Sequence, residues 1–489
     1  MIDGKLEGAA GGRAYPNINP ATEQQIGVAA DASAADVERA IVAARRAFDE
    51  TDWWSDHARR AACLRQLHDA LVGSMEDLRA MTVAEVGAPV ALTHGPQLAT
   101  PIGFLTYYAD LLDQYEWSHD LGVADSFGVL SHRWTEREAI GVVAAITPWN
   151  FPTQINLAKL APALAAGCTV ILKAAPDTPW SAAVLGRLIA EQTDIPPGVV
   201  NVITSAQKDI GALLTNDPRV DMVSFTGSTA TGREIMRACA ATVKKVFLEL
   251  GGKSASIVLD DADFGAAAGA CAFQVCVHAG QGCAITSRLL LPRSRYEAGV
   301  EIAADVLARM PYGDPTNPEH LMGPLVSAAQ RDRVERYVSI AVDEGARVVV
   351  GGRRPAHLTS GYYYEPTLLA DVEADATVAQ DEIFGPVLVA VPFDDDDDAV
   401  RIANHSIYGL SGAVHAGTRA RALAVARRIR TGTITVNGGS YYGADVPFGG
   451  YKQSGIGREM GVAGFEEYLQ TKSLAEPAKS LGEPAPDAG

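Results

Sequence analysis

Five short apolar runs, separated by stretches of helical composition, constrain the fold between residues 139 and 250 more than any other sequence feature. They span residues 141–146, 168–172, 199–203, 222–225 and 246–250. Runs of valine and isoleucine at consecutive positions are typical of strands buried on both faces of a parallel sheet with crossover helices. The sequence therefore predicts an α/β fold with a doubly wound parallel sheet in this region.

A second series of apolar runs follows residue 252 and predicts a second doubly wound α/β domain. Its members span residues 255–259, 347–350, 387–391, 412–415 and 433–436. With 489 residues, the chain has room for roughly two to four domains. We expect one domain from residues 1–120 and 139–250, a second from 251–467, and a small β element with a tail from 121–138 and 468–489. The tail from Glu476 onward is predicted to be mobile because it is rich in proline and poor in apolar residues.

Three helices are predicted before residue 120. A capping box at Ser33 and Asp36 begins the first, and the others span about residues 57–80 and 95–115. In the last, we expect at least two of Phe104, Tyr107 and Tyr108 to pack in the core; the alternative is a wall of a substrate tunnel. Five consecutive aspartates at 394–398 lack the glycine turn of a calcium loop, so they predict a helix N-terminus instead.

The formal net charge of −18 disfavours nucleic acid and anionic membranes as partners. No apolar run reaches the roughly 18 residues of a membrane helix, and the N-terminus lacks a basic leader, so we expect a cytoplasmic protein. Six cysteines are too few for a disulfide framework in a chain of this length. The spacing of Cys271, Cys276 and Cys283 lacks the close ligand pairs of a zinc site, so no metal is expected.

Cys283 is the candidate nucleophile, because it follows Gly280-Gln281-Gly282, where small residues let another molecule approach. The alternative is a buried cysteine that acts as a small apolar residue. Four other motifs accompany it in the same chain. They are Pro-Trp-Asn-Phe-Pro at 148–152, Phe-Thr-Gly-Ser-Thr at 225–229, Leu-Glu-Leu-Gly-Gly-Lys at 248–253 and Glu-Ile-Phe-Gly-Pro at 382–386. With these motifs the chain resembles the aldehyde dehydrogenase superfamily from about residue 20 to 472.

The resemblance implies a set of catalytic roles. Cys283 attacks the aldehyde as a thiolate, which requires a pKa below its usual value of about 8.5. Asn150 and the Cys283 backbone N–H stabilise the oxyanion, and Glu249 activates the water that hydrolyses the thioester. Lys159 matches a lysine proposed in proton relay. Read locally, Asn150 could be a turn residue and Glu249 a solvated charge.

Residues 227–232 follow a predicted strand and open a helix, a position that favours a phosphate group. The resemblance implies that Gly227 and Ser228 contact the pyrophosphate of NAD, that Lys173 contacts the adenosine ribose, and that Glu382 and Phe384 hold the nicotinamide ribose and ring. It also places Ile146 and Trp149 in the coenzyme site. Pro176 stands where most relatives carry a glutamate that contacts the adenosine ribose. We therefore expect a narrow preference for NAD, with NADP possible.

These residues together predict an NAD(P)-dependent oxidation of a small-molecule aldehyde to a carboxylic acid, through a thiohemiacetal and a thioester on the cysteine. The alternatives are acyl transfer to coenzyme A, a catalytically silent structural relative, and a thiol hydrolase that uses His278. We expect His278 to be structural and to lie on a helix. In the family, pieces such as 121–138 and 468–474 form an oligomerisation sheet, so a homodimer or homotetramer is expected. Tyr441 and Tyr442 indicate an aromatic or apolar substrate tunnel.

Overall fold

The computed structural model describes residues 1–207 and 209–478. The chain begins with an antiparallel hairpin and five helices. These are β1 (Ala14–Ile18), β2 (Gln25–Ala30), α1 (Ala34–Glu50), α2 (His57–Gly73), α3 (Met75–Val86), α4 (Val90–Thr93) and α5 (Ala99–Leu112). The capping box of α1 is confirmed, since the Ser33 amide donates to the Asp36 carboxylate at 2.8 Å. The helix predicted over 57–80 is two helices, because the backbone of Ser74 leaves helical geometry between α2 and α3.

The first large sheet follows a hairpin of two long strands. The elements are β3 (Ser118–Ser126), β4 (Val129–Ala139), β5 (Val142–Ile146), α6 (Pro152–Ala166), β6 (Thr169–Lys173), α7 (Pro179–Gln192), β7 (Val200–Ile203), α8 (Asp209–Asn216), β8 (Met222–Thr226), α9 (Thr229–Ala240) and β9 (Lys245–Glu249). Strands β5 to β9 are mutually parallel and lie in the order β9-β8-β5-β6-β7. Helices cover both faces, which explains why these strands are apolar at consecutive positions.

The rest of the chain forms the second large sheet with its helices, and its last three elements, two strands and a helix, lie outside that sheet. The elements are β10 (Ser254–Val258), α10 (Phe264–Cys276), β11 (Thr286–Pro292), α11 (Tyr296–Ala308), α12 (Ala328–Asp343), β12 (Arg347–Val350), β13 (Thr367–Ala370), α13 (Thr377–Gln380), β14 (Val387–Phe393), α14 (Asp396–Asn404), β15 (Gly412–His415), α15 (Arg419–Ala426), β16 (Thr435–Val436), β17 (Gly455–Ile456), α16 (Gly461–Glu466) and β18 (Leu469–Pro477). The strand order is β12-β13-β14-β11-β10-β15-β16, and all neighbours are parallel except the edge strand β12. The prediction of two parallel-sheet α/β units is confirmed.

Two late segments return to the first half of the chain. Strand β17 pairs antiparallel with β9, so residues from beyond the second sheet complete the edge of the first. Strand β18 pairs with β4 from Leu469 to Pro477, which gives a three-stranded antiparallel sheet in the order β18-β4-β3. Glu476 and Pro477 therefore belong to a strand and not to the predicted tail, whose residues 479–489 lie outside the described part of the chain.

Several local predictions are confirmed. Phe104 and Tyr108 are buried on α5, as expected for core residues. The aspartate run begins α14, where the Asp395 carboxylate accepts from the Asp398 amide at 2.8 Å.

Among the described helices, none is both long enough and apolar enough to cross a membrane.

Candidate active site

The candidate site lies where the strand order of the first sheet reverses. From β5 the chain adds β6 and β7 on one side, and it then returns to add β8 and β9 on the other. Ligands of open α/β sheets bind in the crevice at the carboxyl ends of the two strands that flank such a reversal. Asn150 follows β5 at this edge, Gly227 follows β8, and Glu249 ends β9. The topology therefore gathers three of the sequence motifs in one place.

Cys283 enters this crevice on a loop from the second sheet, between α10 and β11. The loop begins with three consecutive residues of positive φ, namely His278 at 49°, Ala279 at 51° and Gly280 at 72°. A Cβ at Gly280 would lie 2.0 Å from the carbonyl oxygen of Gly385, so only glycine fits where this loop touches the 382–386 segment. The left-handed turn corrects the prediction that His278 lies on a helix.

Gln281 fixes the same loop from within. Its buried side chain donates to the carbonyls of His278 and Pro324 at 3.1 and 3.4 Å and accepts from the Val326 amide at 2.9 Å. The side-chain amide thus ties the turn before Cys283 to the segment 324–326. No local pattern in the sequence indicates this role of Gln281.

His278 is buried against the ring of Phe151, with centroids 5.2 Å apart. Neither ring nitrogen has a hydrogen-bond partner among the described residues. Burial lowers the pKa of the imidazole to about 4, because an apolar environment disfavours the cation. The geometry supplies no Cys–His hydrogen bond, which disfavours the thiol-hydrolase alternative.

Asn150 is buried and faces the cysteine loop. Its Nδ2 donates to the backbone carbonyl oxygen of Gln281 at 2.8 Å, and its backbone carbonyl oxygen accepts from the Gln97 side chain at 2.9 Å. One amide hydrogen is therefore held by the loop, and the second remains for the cavity. The side chain is held by the Gln281 carbonyl and the backbone by Gln97, as a pre-organised oxyanion donor requires.

Glu249 is buried at the end of β9, and neither carboxylate oxygen has a hydrogen-bond partner among the described residues. Burial, reinforced by the charge of Glu459, raises the pKa of this carboxyl well above its usual value. The local alternative of a solvated charge is wrong here. A buried carboxyl group without a partner is costly, so its placement beside the cysteine indicates a functional role.

The surroundings of Cys283 contradict one expectation. Burial first, and then the carboxylates of Glu249, Glu382 and Glu459, hold the pKa of its thiol well above the ordinary value. The expected lowering does not occur because carboxylates and burial outweigh the stabilising contact from the Ala284 amide. Cys283 therefore rests as a thiol, and a base must take its proton before it attacks a carbonyl.

Lys159 lies beneath this site on α6, fully buried. Its Nζ is 2.7 Å from Glu459 Oε1 and 4.9 Å from the centroid of the Phe247 ring. The charge of Glu459 raises the pKa of Glu249 and that of Lys159 lowers it, so the pair is electrically coupled to the candidate base. Glu459 was missed, because its partner is 300 residues away in sequence and no local pattern distinguishes it.

One cavity, of about 250 Å³, borders Cys283. Among its lining residues are Trp149, Asn150, Gly227, Ser228, Glu249, Cys283, Glu382 and Phe384. The rings of Trp149 and Phe384 meet edge to face at 5.3 Å. The Glu382 carboxylate accepts from the Gly252 amide at 3.0 Å, and burial raises its pKa to about 7. An acceptor for ribose hydroxyls thus stands beside a flat aromatic wall.

The segment that carries Glu382 and Phe384 is held in a strained shape. Phe384 has a φ of 63°, which is unusual for a bulky residue. Two side chains from α12 fix it, since Gln330 donates to the Phe384 carbonyl at 2.7 Å and Arg333 to the Glu382 carbonyl at 2.6 Å. Sequence reasoning did not identify these two supports.

The turn after β8 suits a phosphate group. Ser228 is the N-cap of α9, and its hydroxyl accepts from the Thr231 amide at 3.2 Å. A Cβ at Gly232 would lie 2.7 Å from the Leu250 side chain, so glycine lets α9 approach the sheet closely. The exposed backbone N–H groups of this helix start and its dipole favour an anion, so these residues fit a dinucleotide.

The other three predicted coenzyme residues lie at the same sheet edge but do not line the cavity. Ile146 and Lys173 are register partners at the ends of β5 and β6, and Pro176 is exposed three residues further on. Burial lowers the pKa of Lys173, while the charge of Asp177 opposes this effect. The placement is compatible with the adenosine end of a long coenzyme.

A second cavity, of about 330 Å³, also borders the cysteine. It shares Asn150, Ile155, Thr226, Glu249 and Cys283 with the first cavity. Tyr441 and Tyr442 line it, as predicted. Cys283, Asn150 and Glu249 therefore stand at the junction of two chambers.

Comparison with known proteins identifies the family. Residues 7–474 match the model of the aldehyde dehydrogenase family. The chain belongs to the aldehyde dehydrogenase family. A curated relative, the 3-succinoylsemialdehyde-pyridine dehydrogenase of a Pseudomonas species, is 40% identical over 97% of both chains.

Solved aldehyde dehydrogenases share the fold over nearly the whole chain. The aldehyde dehydrogenase of Mycobacterium tuberculosis, complexed with NAD+, has a TM-score of 0.93 and 40% identity, with 97% of this chain and 96% of that one covered. Betaine aldehyde dehydrogenase of Staphylococcus aureus, also with NAD+, has a TM-score of 0.94 and 34% identity, with 97% and 94% covered. The predicted family, enzyme class and aldehyde oxidation are confirmed, and acyl transfer to coenzyme A is not favoured.

Proposed function

We propose that this protein oxidises its aldehyde with NAD as the hydride acceptor and releases the carboxylic acid by hydrolysis. The junction of the two cavities at Cys283 carries the proposal. An aldehyde can approach Sγ from one side and a coenzyme from the other, and both cavities contain Glu249 and Asn150. The NAD+ bound to the solved relatives supports the choice of coenzyme.

Cys283 performs the first step after losing its proton to water. Its sulfur adds to the carbonyl carbon to form a thiohemiacetal, and the negative oxygen accepts hydrogen bonds from Asn150 Nδ2 and the Cys283 backbone N–H. Bound NAD supplies the acceptor for the hydride that leaves this carbon. The acyl group then remains on the protein as a thioester with the Cys283 sulfur.

Glu249 performs the second step. Its unpartnered carboxylate takes a proton from water, and the resulting hydroxide adds to the thioester carbon and expels the Cys283 sulfur. We assign the Lys159–Glu459 pair to carrying the proton away from Glu249, because both charges act on that carboxyl. Acylation therefore depends on Cys283 and Asn150, and hydrolysis depends on Glu249.

We propose that Gly227, Ser228, Trp149, Glu382 and Phe384 hold the pyrophosphate and nicotinamide half of the coenzyme. Ile146, Lys173 and Pro176 are assigned to its adenosine half. Residues 1–120 and 139–250 then form the coenzyme-binding domain and 251–467 the catalytic domain. The supports are the helix start, the carboxylate and the aromatic pair in the first cavity.

The three-stranded sheet is proposed to form the contact of a homodimer or homotetramer. Its hairpin exposes Leu121, Val123, Phe127, Val129 and Leu130, and an apolar exposed hairpin favours association. We place the protein in the cytoplasm, supported by its six cysteines, all of which are free thiols.

The test is coenzyme reduction with a panel of aldehydes, followed by identification of the acid product by mass spectrometry. We expect NADH and one equivalent of acid with at least one aldehyde, and neither product with Cys283→Ala. Cleavage of esters by a protein that never reduces NAD or NADP would contradict the proposal and support a thiol hydrolase.

A further inference from the structure

The aldehyde cavity has an apolar interior. Its deeper walls come from the start of α6, the cysteine loop and the 435–460 segment. They are Phe151, Ile155, Val277, Ile285, Phe448 and Met460. The Tyr441 ring stacks on Phe448 at 6.4 Å, and its hydroxyl is engaged by Ser411 at 2.9 Å. This tyrosine therefore presents its ring, rather than a free hydroxyl, to the cavity.

The aldehyde cavity, as far as the chain is described, lacks a cationic side chain that could bind an anion. Among the described residues that line it, there is no lysine, arginine or histidine. Its two carboxyl side chains are Glu249 and Glu459, both close to the cysteine. A substrate carboxylate would lose its hydration here without gaining a partner, and it would face two acids.

A cation is also poorly served. Glu459 is already paired with Lys159 at 2.7 Å, and Glu249 lies beside Cys283, where it meets the aldehyde group and not a charge at the far end of the substrate. A cation held by aromatic rings needs several ring faces around it. Here Tyr441 and Phe448 lie nearly parallel, at 20° to one another, so they form one wall rather than a cage.

The volume sets the size of the ligand. One water occupies roughly 30 Å³ in the liquid, so 330 Å³ accommodates about ten such groups with a little room to spare. An aldehyde of two or three carbons would leave most of the apolar wall uncovered.

We propose that the preferred substrates are neutral, apolar aldehydes of about ten non-hydrogen atoms, and that aldehydes with a charge at the far end are excluded. This inference rests on the proposed aldehyde oxidation and adds the substrate class. Each buried methylene contributes about 0.8 kcal/mol, which corresponds to about a fourfold change in kcat/KM per carbon. The exclusion of charge is expected to be at least about 100-fold, the scale of a buried charge without a partner.

The experiment compares kcat/KM for NAD-dependent oxidation of matched aldehydes. One set is the straight-chain series from propanal to nonanal. The other is nonanal with two charged derivatives of the same ten non-hydrogen atoms, the carboxylate 7-oxoheptanoate and 5-(trimethylammonio)pentanal. We expect kcat/KM to rise about fourfold per carbon until the cavity is full, and to fall at least about 100-fold for both charged derivatives.

A variant adds the missing charge without touching the catalytic residues. Gln154 lies in the first turn of α6, lines the cavity and is half-buried. The Gln154 side chain makes no hydrogen bond to another described residue. Gln154→Arg should raise the kcat/KM ratio of 7-oxoheptanoate to nonanal about tenfold. Gln154→Met, of similar length and uncharged, is the control and should leave the ratio unchanged.

The outcomes separate the two proposals. If no aldehyde in the panel reduces NAD, the proposed function fails and the substrate class fails with it. If propanal equals nonanal, or if the carboxylate or trimethylammonium derivative equals the neutral compound, the substrate class is wrong although aldehyde oxidation stands. Parent-enzyme data decide this even if Gln154→Arg fails to fold.

Discussion

Glu249 has two buried carboxylate oxygens with no partner among the described residues, and this makes it the best residue for separating the two chemical steps. Glu249→Gln preserves the shape but cannot take a proton from water. We expect a pre-steady-state burst of NADH followed by very slow turnover, measured by stopped-flow absorbance. Equal loss of the burst and the steady rate would show that Glu249 is also needed for acylation.

The raised pKa of Cys283 predicts how its reactivity depends on pH. A thiol whose pKa is held above its usual value forms little thiolate at neutral pH, so alkylation by iodoacetamide should be slow there and accelerate as the pH rises through that pKa. Because the Glu249 charge contributes to the raised pKa after burial does, Glu249→Gln should move the rise to lower pH. An unchanged profile in the variant would contradict this coupling.

Pro176 is the residue at which coenzyme choice can be changed. It is exposed at the turn after β6, and it removes a carboxylate that would bond a ribose hydroxyl and repel a 2′-phosphate. Pro176→Glu should widen the preference for NAD over NADP by about 1–3 kcal/mol, measured as Kd by titration calorimetry and as kcat/KM. A parent protein that binds NADP better than NAD would show that this turn is wrongly assigned.

At the scale of elements, deletion of β18 is the most direct test of the proposed oligomer interface. It covers one edge of β4 along nine residue pairs from Leu469 to Pro477, and its loss would leave that edge of β4 unpaired. Truncation after Glu467 should convert the oligomer to monomer or aggregate in light scattering. Truncation after Ala478, which keeps β18, is the control. A native-size oligomer without β18 would contradict the proposed interface.

Elements with strong local patterns could be predicted from the sequence, and elements defined by distant partners could not. The runs 222–225 and 412–415 coincide with β8 and β15 to within one residue, because strands buried on both faces are apolar throughout. Strands β11 and β13 were not predicted, although each lies between two other strands of the second sheet. The two-residue strand β17 exists only because β9 offers it an edge.

The same distinction holds at the site. Cys283, Asn150 and Glu249 stand in recognisable motifs, and the structure brings them to both cavities. Glu459, Gln330 and Arg333 act through partners far away in sequence, so no local pattern marks them. The pKa of Cys283 also depends on carboxylates from three separate segments, so the sequence alone could not show whether the condition of a lowered pKa is met.

At the scale of the whole molecule, two sheets meet so that a strand end of the first and a loop of the second share one reaction point. The first sheet supplies Glu249 and the segment with Asn150, and the second supplies Cys283 on a left-handed turn. Gln281 locks the two together, since its carbonyl accepts from Asn150. Catalytic geometry therefore depends on the relative placement of the sheets.

The central claim is that Cys283 carries the acyl group between the two cavities. Glu249→Gln mixed with NAD and nonanal should retain an acyl group on the peptide containing Cys283, seen by mass spectrometry after rapid quenching, because hydrolysis is blocked while hydride loss is not. The label should be absent without NAD and absent in Glu249→Gln combined with Cys283→Ala. NADH formation with the acyl group on another residue, or on none while turnover is stalled, would contradict the account.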